Sequence, residues 1–355
     1  MRKLVIDRAA IKNNLTVIKD RAAGAAIYGV VTGDGQGVGA AALAQLLRDE
    51  GIGRFAVSEV SEAEALRQAG FVDEEILMLR ATTDREELER LVDLNVVCTV
   101  SSVDTGMALN ALAGNRSTVA EAHIQVDTGM GFGGFLVSEP EKLLLAYRSM
   151  PNVALSGVYT QLHAARPNDP QAKRQLEQFQ QALDAIHQAG FETGVVHAAG
   201  SFALLHGLAP ELDGVRAGSA ILGRCRRTRD DGLKTVGFGQ APLTEVRWLP
   251  KGHVLGVDRP VTLKKPTRVA VLPVGYQNGF GVTRPRETGL LAAIARWRKN
   301  NRRTVRLGSQ RARVLGGLGA SELILDVTDL KCSVGDLATF EMDPLFARGF
   351  QVEFR

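Results

Sequence analysis

The chain has 355 residues, 45% of them hydrophobic, and its 43 Lys and Arg against 39 Asp and Glu leave a formal net charge of +4. This length supports one large domain with a smaller second one, and a core that needs no cross-links. Near-balanced charge leaves no case for a nucleic-acid partner, the three separated cysteines (Cys98, Cys225, Cys332) form no disulfide framework or metal cluster and point to a reducing, cytoplasmic setting, and neither a signal-type N-terminus nor a run of about 18 apolar residues directs the chain to a membrane.

Between residues 26 and 223, eight short apolar runs alternate with helical patterns: "AIYGVV", "RFAVS", "EILML", "VVCTVSS", "EAHIQVD", "VALSGVYT", "GVVHAAG" and "VRAGSAILG". The intervening segments are helix-like. "AAALAQLLRDEG" ends on a glycine, "SEAEALRQAG" opens with a serine cap, and "DREELERLVDL" spaces its apolar residues three and four apart. In "DPQAKRQLEQFQQALDAIHQAG", Asp169 before Pro170 signals the start and Gly190 the stop. Apolar strands joined by helices mean a parallel sheet, and eight such units favour an α/β fold with a TIM-type (β/α)8 barrel over residues 8–228. From residue 229 to 355 strand-like runs ("EVRWLPKGHVLG", "TRVAVLPVGY", "RARVLG", "LILDV", "LATFEM") predict a β-rich C-terminal domain that also takes up residues 1–7. A helical insert near 287–301, with Leu290, Leu291, Ile294 and Trp297 at helical spacing, interrupts it.

In such a barrel the ligand site forms where the strands end. The residues closing seven of the eight runs are Thr32, Ser58, Arg80, Gln125 with Asp127, Thr160 with Gln161, His197 with Ser201, and Arg216 with Gly218 and Ser219. A small hydroxyl residue in "GSF" and open backbone amides in "RAGSA" suit a phosphate, a weak signal on its own because glycines at strand ends are common. None of these residues makes a metal-ligand set.

"GVVTGDGQGVG", "HIQVDTGMGFGGF", "GVYTQLH", "VHAAGSFAL", "GVRAGSAILG" and "LPVGYQNGFG" together resemble, in order and approximate spacing, alanine racemase and its amino-acid racemase relatives, the fold-type III enzymes that use pyridoxal phosphate. The likeness runs over nearly the whole chain, with "DTGMG" and "VGY..G" its most specific pieces. It implies a barrel followed by a β domain, and a homodimer paired head to tail so that each site draws on both subunits.

Carried over position by position, the resemblance divides. It implies that Thr32 stands where the family has the lysine that forms the imine with the cofactor, and Gln36 where a tyrosine touches the phosphate. Gln125 replaces a lysine that is often carbamylated, Phe132 the arginine that this lysine orients, and Gln161 the histidine of the sixth strand's "TH". Other positions match: Arg216 the arginine facing the pyridine nitrogen, His197 its supporting histidine, Ser201, Gly218 and Ser219 the phosphate contacts, and Tyr276 the catalytic tyrosine from the partner subunit. Asp127 reads as a loop-fixing acceptor.

A hydroxyl cannot condense with an aldehyde to give the protonated imine that acidifies a substrate Cα–H, and the loss of a positioned base alone costs about 10² to 10⁴ in rate. The expectation is therefore an alanine-racemase-like pseudoenzyme with no covalently bound cofactor, in which non-covalent binding of pyridoxal phosphate or another small anion stays open. Two alternatives also stay open. One is an isomerase with imine-free proton transfer by Tyr276 or His197. The other is an interaction protein that meets a partner or a membrane surface through 287–301.

Overall fold

A computed structural model describes residues 1–163, 169–208, 211–225, 231–256, 260–283 and 303–355. The helical insert expected near 287–301, Trp297 included, lies outside the described residues. Contacts divide the chain into a unit of Ala9–Thr235 and a unit of Met1–Arg8 with Val236–Arg355.

The first unit is a parallel barrel. Its eight strands are Ala26–Val30, Arg54–Val57, Glu75–Met78, Cys98–Val100, Ala120–Asp127, Val153–Tyr159, Val195–Gly200 and Gly214–Ala217. Each pairs in parallel with its neighbours, the eighth lies beside the first, and a bridge from Leu77 to Val97 joins the third to the fourth. Helices follow the strands, with apolar faces such as Leu43, Ala44 and Leu47 buried completely. Asp169 does begin the longest helix: its carboxylate accepts the Gln171 N–H at 3.0 Å, and Pro170 takes the first helical position. The helix after the second strand differs from expectation. It starts at Val60 with Glu59 as cap, because the Glu62 carboxylate reaches back to the Glu59 N–H and Ser61 is already inside the first turn.

The second unit is built on a nine-stranded, mainly antiparallel sheet. Strand Lys3–Ile6 lies between Phe238–Pro242 and Gln351–Phe354, so the first residues of the chain sit inside this sheet. Among the described residues no helix is long and apolar enough to cross a membrane.

Candidate active site

Side chains alternate along a strand, so fixing one inward residue fixes the set. His123, His197, Tyr28 and Tyr159 meet inside the barrel. The His197 ring stacks with Tyr28 (centroids 5.1 Å, 18°) and with Tyr159 (5.0 Å, 19°), and its Nε2 lies 3.0 Å from His123 Nδ1. Gly157 pairs with His123 across the strands because a Cβ there would lie 2.6 Å from the imidazole. Two residues beyond His123 and Tyr159 come Gln125 from the fifth strand and Gln161 at the exit of the sixth, while Thr32 lies four residues beyond Tyr28, past the end of the first strand.

Arg216 crowns this layer and is 5% exposed. Its Nη1 donates to His197 Nδ1 at 2.6 Å, and its Nη2 to the Thr160 carbonyl (2.7 Å) and Gln161 Oε1 (3.0 Å). A guanidinium only donates, so His197 Nδ1 accepts and the His197 proton sits on Nε2, where it is given to His123. Burial and the neighbouring guanidinium push both histidines down, His123 to about 4, and both are neutral at pH 7. Burial lowers Arg216 to about 10, which still leaves it charged. Its Nε makes no hydrogen bond among the described residues and is the donor left over for a ligand.

The loop after the first strand is a left-handed turn. Gly33, Asp34, Gly35 and Gln36 have φ of 65°, 52°, 64° and 58° in succession, a conformation costing about 1–2 kcal/mol per non-glycine residue. Three side chains hold it. Glu62 accepts the Asp34 N–H at 3.2 Å together with the N–H groups of Ser58 and Glu59, Asp34 Oδ1 accepts the Ala40 N–H at 2.9 Å, and the Gln36 amide donates to the Thr32 carbonyl and Oγ1 at 3.2 and 3.3 Å. A Cβ on Gly35 would lie 2.9 Å from the Ala40 nitrogen, so glycine is required there. The turn thus delivers Thr32, with Gln36 folded onto it, to the exit of the first strand.

Across the mouth, Asp127 accepts the N–H groups of Gly129, Met130 and Gly131 at 2.8, 2.9 and 3.2 Å, the loop-fixing role its sequence context suggests. Thr128 and Thr160 share a hydrogen bond at 2.8 Å, and Gln175 ties Thr128, the Gln161 carbonyl and the His163 N–H together. Gln125 is half-buried, and Phe132 is 77% exposed on the loop. At the opposite side of the mouth the Ser201 hydroxyl accepts the Gly218 N–H (3.0 Å) and the Ala220 N–H (3.2 Å), and Gly218 sits close against Val30 of the first strand. Tyr276 belongs to the other unit, in a short turn over Tyr276–Asn278, and is half-exposed.

The geometry therefore joins Arg216 with His197 and Gln161, Thr32 with Gln36, and Ser201 with Gly218. Reading strand ends missed His123, Tyr159, Gln175 and Glu62; His123 had a signal, lying two residues before Gln125 on the same strand face. An aldehyde cofactor held covalently needs an amine here, and no lysine occurs between the end of any of the first seven strands and the following helix; after the eighth, Lys234 is exposed, with its backbone N–H and carbonyl bonded to Asn14 of the first helix. Of the five lysines in residues 9–235, Lys12 and Lys19 pair with Glu50 and Lys142 with Glu139, while Lys173, in the helix Pro170–Gln188, and Lys234 are exposed. The mouth does not fit a cofactor bound through an imine.

Comparison with known proteins places these features in a lineage. The family model for the alanine racemase N-terminal domain matches residues 6–225, and that for the C-terminal domain matches residues 239–343. The alanine racemase of Desulfovibrio desulfuricans is 30% identical over 341 residues, 93% of this chain and 86% of the relative. That of Geobacter sp. (strain M21) is 27% identical over 345 residues, 94% and 86%. In fold, the crystal structure of alanine racemase from Bartonella henselae with covalently bound pyridoxal phosphate superposes with a TM-score of 0.84 over 100% of this chain and 99% of that one, at 21% identity. The chain belongs to the alanine racemase family.

Proposed function

We propose that this member of the alanine racemase family does not racemise amino acids through a pyridoxal phosphate imine, and that its barrel mouth holds a small anionic molecule without a covalent bond. The observation carrying this reading is Thr32 at the exit of the first strand, with the Gln36 amide folded onto its hydroxyl and no amine at any strand exit. Racemisation needs an electron sink and a proton carrier on each face of the substrate. A threonine hydroxyl supplies neither the sink nor a base at neutral pH.

The anion-binding half of the site is better preserved. Arg216 keeps Nε uncommitted among the described residues, its guanidinium held by neutral His197 with His123 behind it. Ser201 accepts two backbone N–H groups and keeps its own proton to donate. As part of the same reading, two copies pair head to tail, Tyr276 being offered to the partner's barrel.

The test is an absorption spectrum of the purified protein with added pyridoxal phosphate, before and after borohydride, beside a Thr32→Lys variant. The expected result is no reducible imine band and no conversion of L-alanine to D-alanine by the unmodified protein, with a band appearing in Thr32→Lys. A borohydride-fixed adduct, or racemisation by the unmodified protein, would overturn the reading.

A further inference from the structure

We infer that the second unit binds the phosphate backbone of a double-stranded nucleic acid, without regard to its sequence, on the solvent face of its nine-stranded sheet. This surface belongs to the second unit alone, and the assignment is independent of what the barrel mouth holds.

The near balance of charge over the whole chain, which by itself makes no case for such a partner, hides a local excess. Residues 288–321 contain eight Lys and Arg and no Asp or Glu, so the rest of the chain carries a small acidic surplus. Seven of the eight are arginine, whose planar fork suits phosphate better than the point charge of lysine. Arg306, Arg311 and Arg313 are the members of this run that lie on described strands, Thr304–Leu307 and Gln310–Leu315.

Their direction follows from the register. Val305, Leu307 and Ala312 are buried, so the residues alternating with them face solvent. Arg306 lies directly opposite Arg311, and Thr304 opposite Arg313, which puts the three guanidinium groups on one face. All three are exposed, and none makes a side-chain hydrogen bond or ion pair among the described residues. Like charges set directly opposite each other cost stability, so the sheet carries a positive cluster that it does not neutralise. Of the acids nearby, Asp326, opposite Arg313, accepts the Thr328 N–H and hydroxyl at 3.1 and 2.7 Å, and Glu353 pairs with Lys3 and Arg355. Glu341, two residues beyond Thr339 on its strand, is the uncommitted carboxylate on this face.

The row that begins at Arg311 and Arg306 runs on across the sheet. Arg306 is opposite Thr339, Thr339 opposite Gln240, and Gln240 opposite Lys3. With neighbouring strands about 4.8 Å apart, these five polar residues form a line of about 19 Å. The Gln240 amide donates to the Thr339 hydroxyl at 3.2 Å, which leaves that hydroxyl its own proton to give. A line of donors headed by unpaired arginines fits an extended polyanion, whereas a compact anion would use one end of it. None of the five is aromatic or large and apolar. The row therefore offers neither a ring for an unpaired base to stack on nor a side chain to enter a bilayer, and what it can hold is a phosphate backbone.

Fluorescence anisotropy of a labelled DNA duplex of mixed sequence, titrated with the full-length protein at about 50 to 200 mM salt, tests this. Each phosphate contact adds about 0.9 to the slope of log affinity against log salt, so three arginines predict a slope of at least about 2.7 and a loss of at least about 40-fold over that range. Substituting all three (Arg306→Gln, Arg311→Gln, Arg313→Gln) should lower the slope by about 2.7 or abolish binding. Arg85→Gln, at an exposed arginine of the barrel unit, should leave the slope unchanged. A second duplex of different sequence should bind within about twofold of the first, and thermal unfolding verifies that the variants fold. No binding at about 50 mM salt, salt-independent binding, or an unaltered slope in the triple variant would each overturn the assignment. So would a preference of more than about tenfold between the duplexes, or binding to phosphatidylglycerol vesicles with none to the duplex. None of these outcomes bears on the borohydride test of the barrel mouth.

Discussion

The interior of the barrel and its mouth, only two to four residues apart along the first and fifth strands, obey different rules. Inside, Tyr28, His123, Tyr159 and His197 are buried and bonded or stacked on one another, and even the absence of a side chain at Gly157 is accounted for by the ring that fills its place. At the mouth, the Gln125 side chain makes no hydrogen bond among the described residues, Phe132 faces outward and Thr32 carries a hydroxyl. The contrast teaches that the packed layer answers to stability while the mouth is free to change its chemistry, because losing a group there leaves few others unsatisfied.

The largest effect expected from breaking this contrast comes from Arg216, which spans both regions. Arg216→Met would leave His197 Nδ1, the Thr160 carbonyl and Gln161 Oε1 without donors. At about 1–3 kcal/mol for each of the two buried groups left unpaired, His197 Nδ1 and the Thr160 carbonyl, the barrel should lose about 2–6 kcal/mol, measured by denaturant unfolding followed by circular dichroism.

A smaller, pH-driven effect isolates the interior. His123 titrates near 4 in the folded protein against 6.5 for the free side chain, so the unfolded chain takes up its proton first as pH falls. Stability from this group is complete above about pH 6.5 and declines from there down to pH 4, at about 1.4 kcal/mol per pH unit. His197 shifts in the same direction. Unfolding free energies across pH 4 to 7 should fall at least this steeply, and His123→Gln, whose amide oxygen can still accept from His197, should reduce the slope by about 1.4 kcal/mol per pH unit and leave the part that belongs to His197.

The least effect belongs to the mouth. Phe132→Arg, which restores the residue type the family resemblance implies, should change stability by no more than about 0.5 kcal/mol, since the ring is 77% exposed. A loss of several kcal/mol in the same unfolding assay would mean that Phe132 is covered in solution and would erase the distinction between the regions.

The barrel strands are legible in the sequence because each is a short apolar run, and buried parallel strands leave that mark whatever their neighbours. Asp169 before Pro170 is legible for a similar reason: the cap chemistry is local. The left-handed turn is not. "TGDGQG" announces a bend, but that Asp34 and Gln36 share the left-handed conformation with the glycines depends on Glu62, 28 residues after Asp34, accepting the Asp34 N–H. His123 is hidden for another reason. A single histidine in an apolar strand looks the same whether it fills space or orients a second histidine, and the pairing with His197 spans 74 residues.

The turn has a practical consequence. Its backbone is held by Glu62, by Asp34, by Gly35 and by the Gln36 amide on the Thr32 carbonyl, and only the second contact of that amide, to the Thr32 hydroxyl, depends on what residue 32 carries, so position 32 is a fixed mounting point whose fitting can be changed. All three native thiols are buried. A cysteine installed at 32 would therefore be the one reactive sulfur near the surface, and a reporter coupled there would sense whatever enters the barrel.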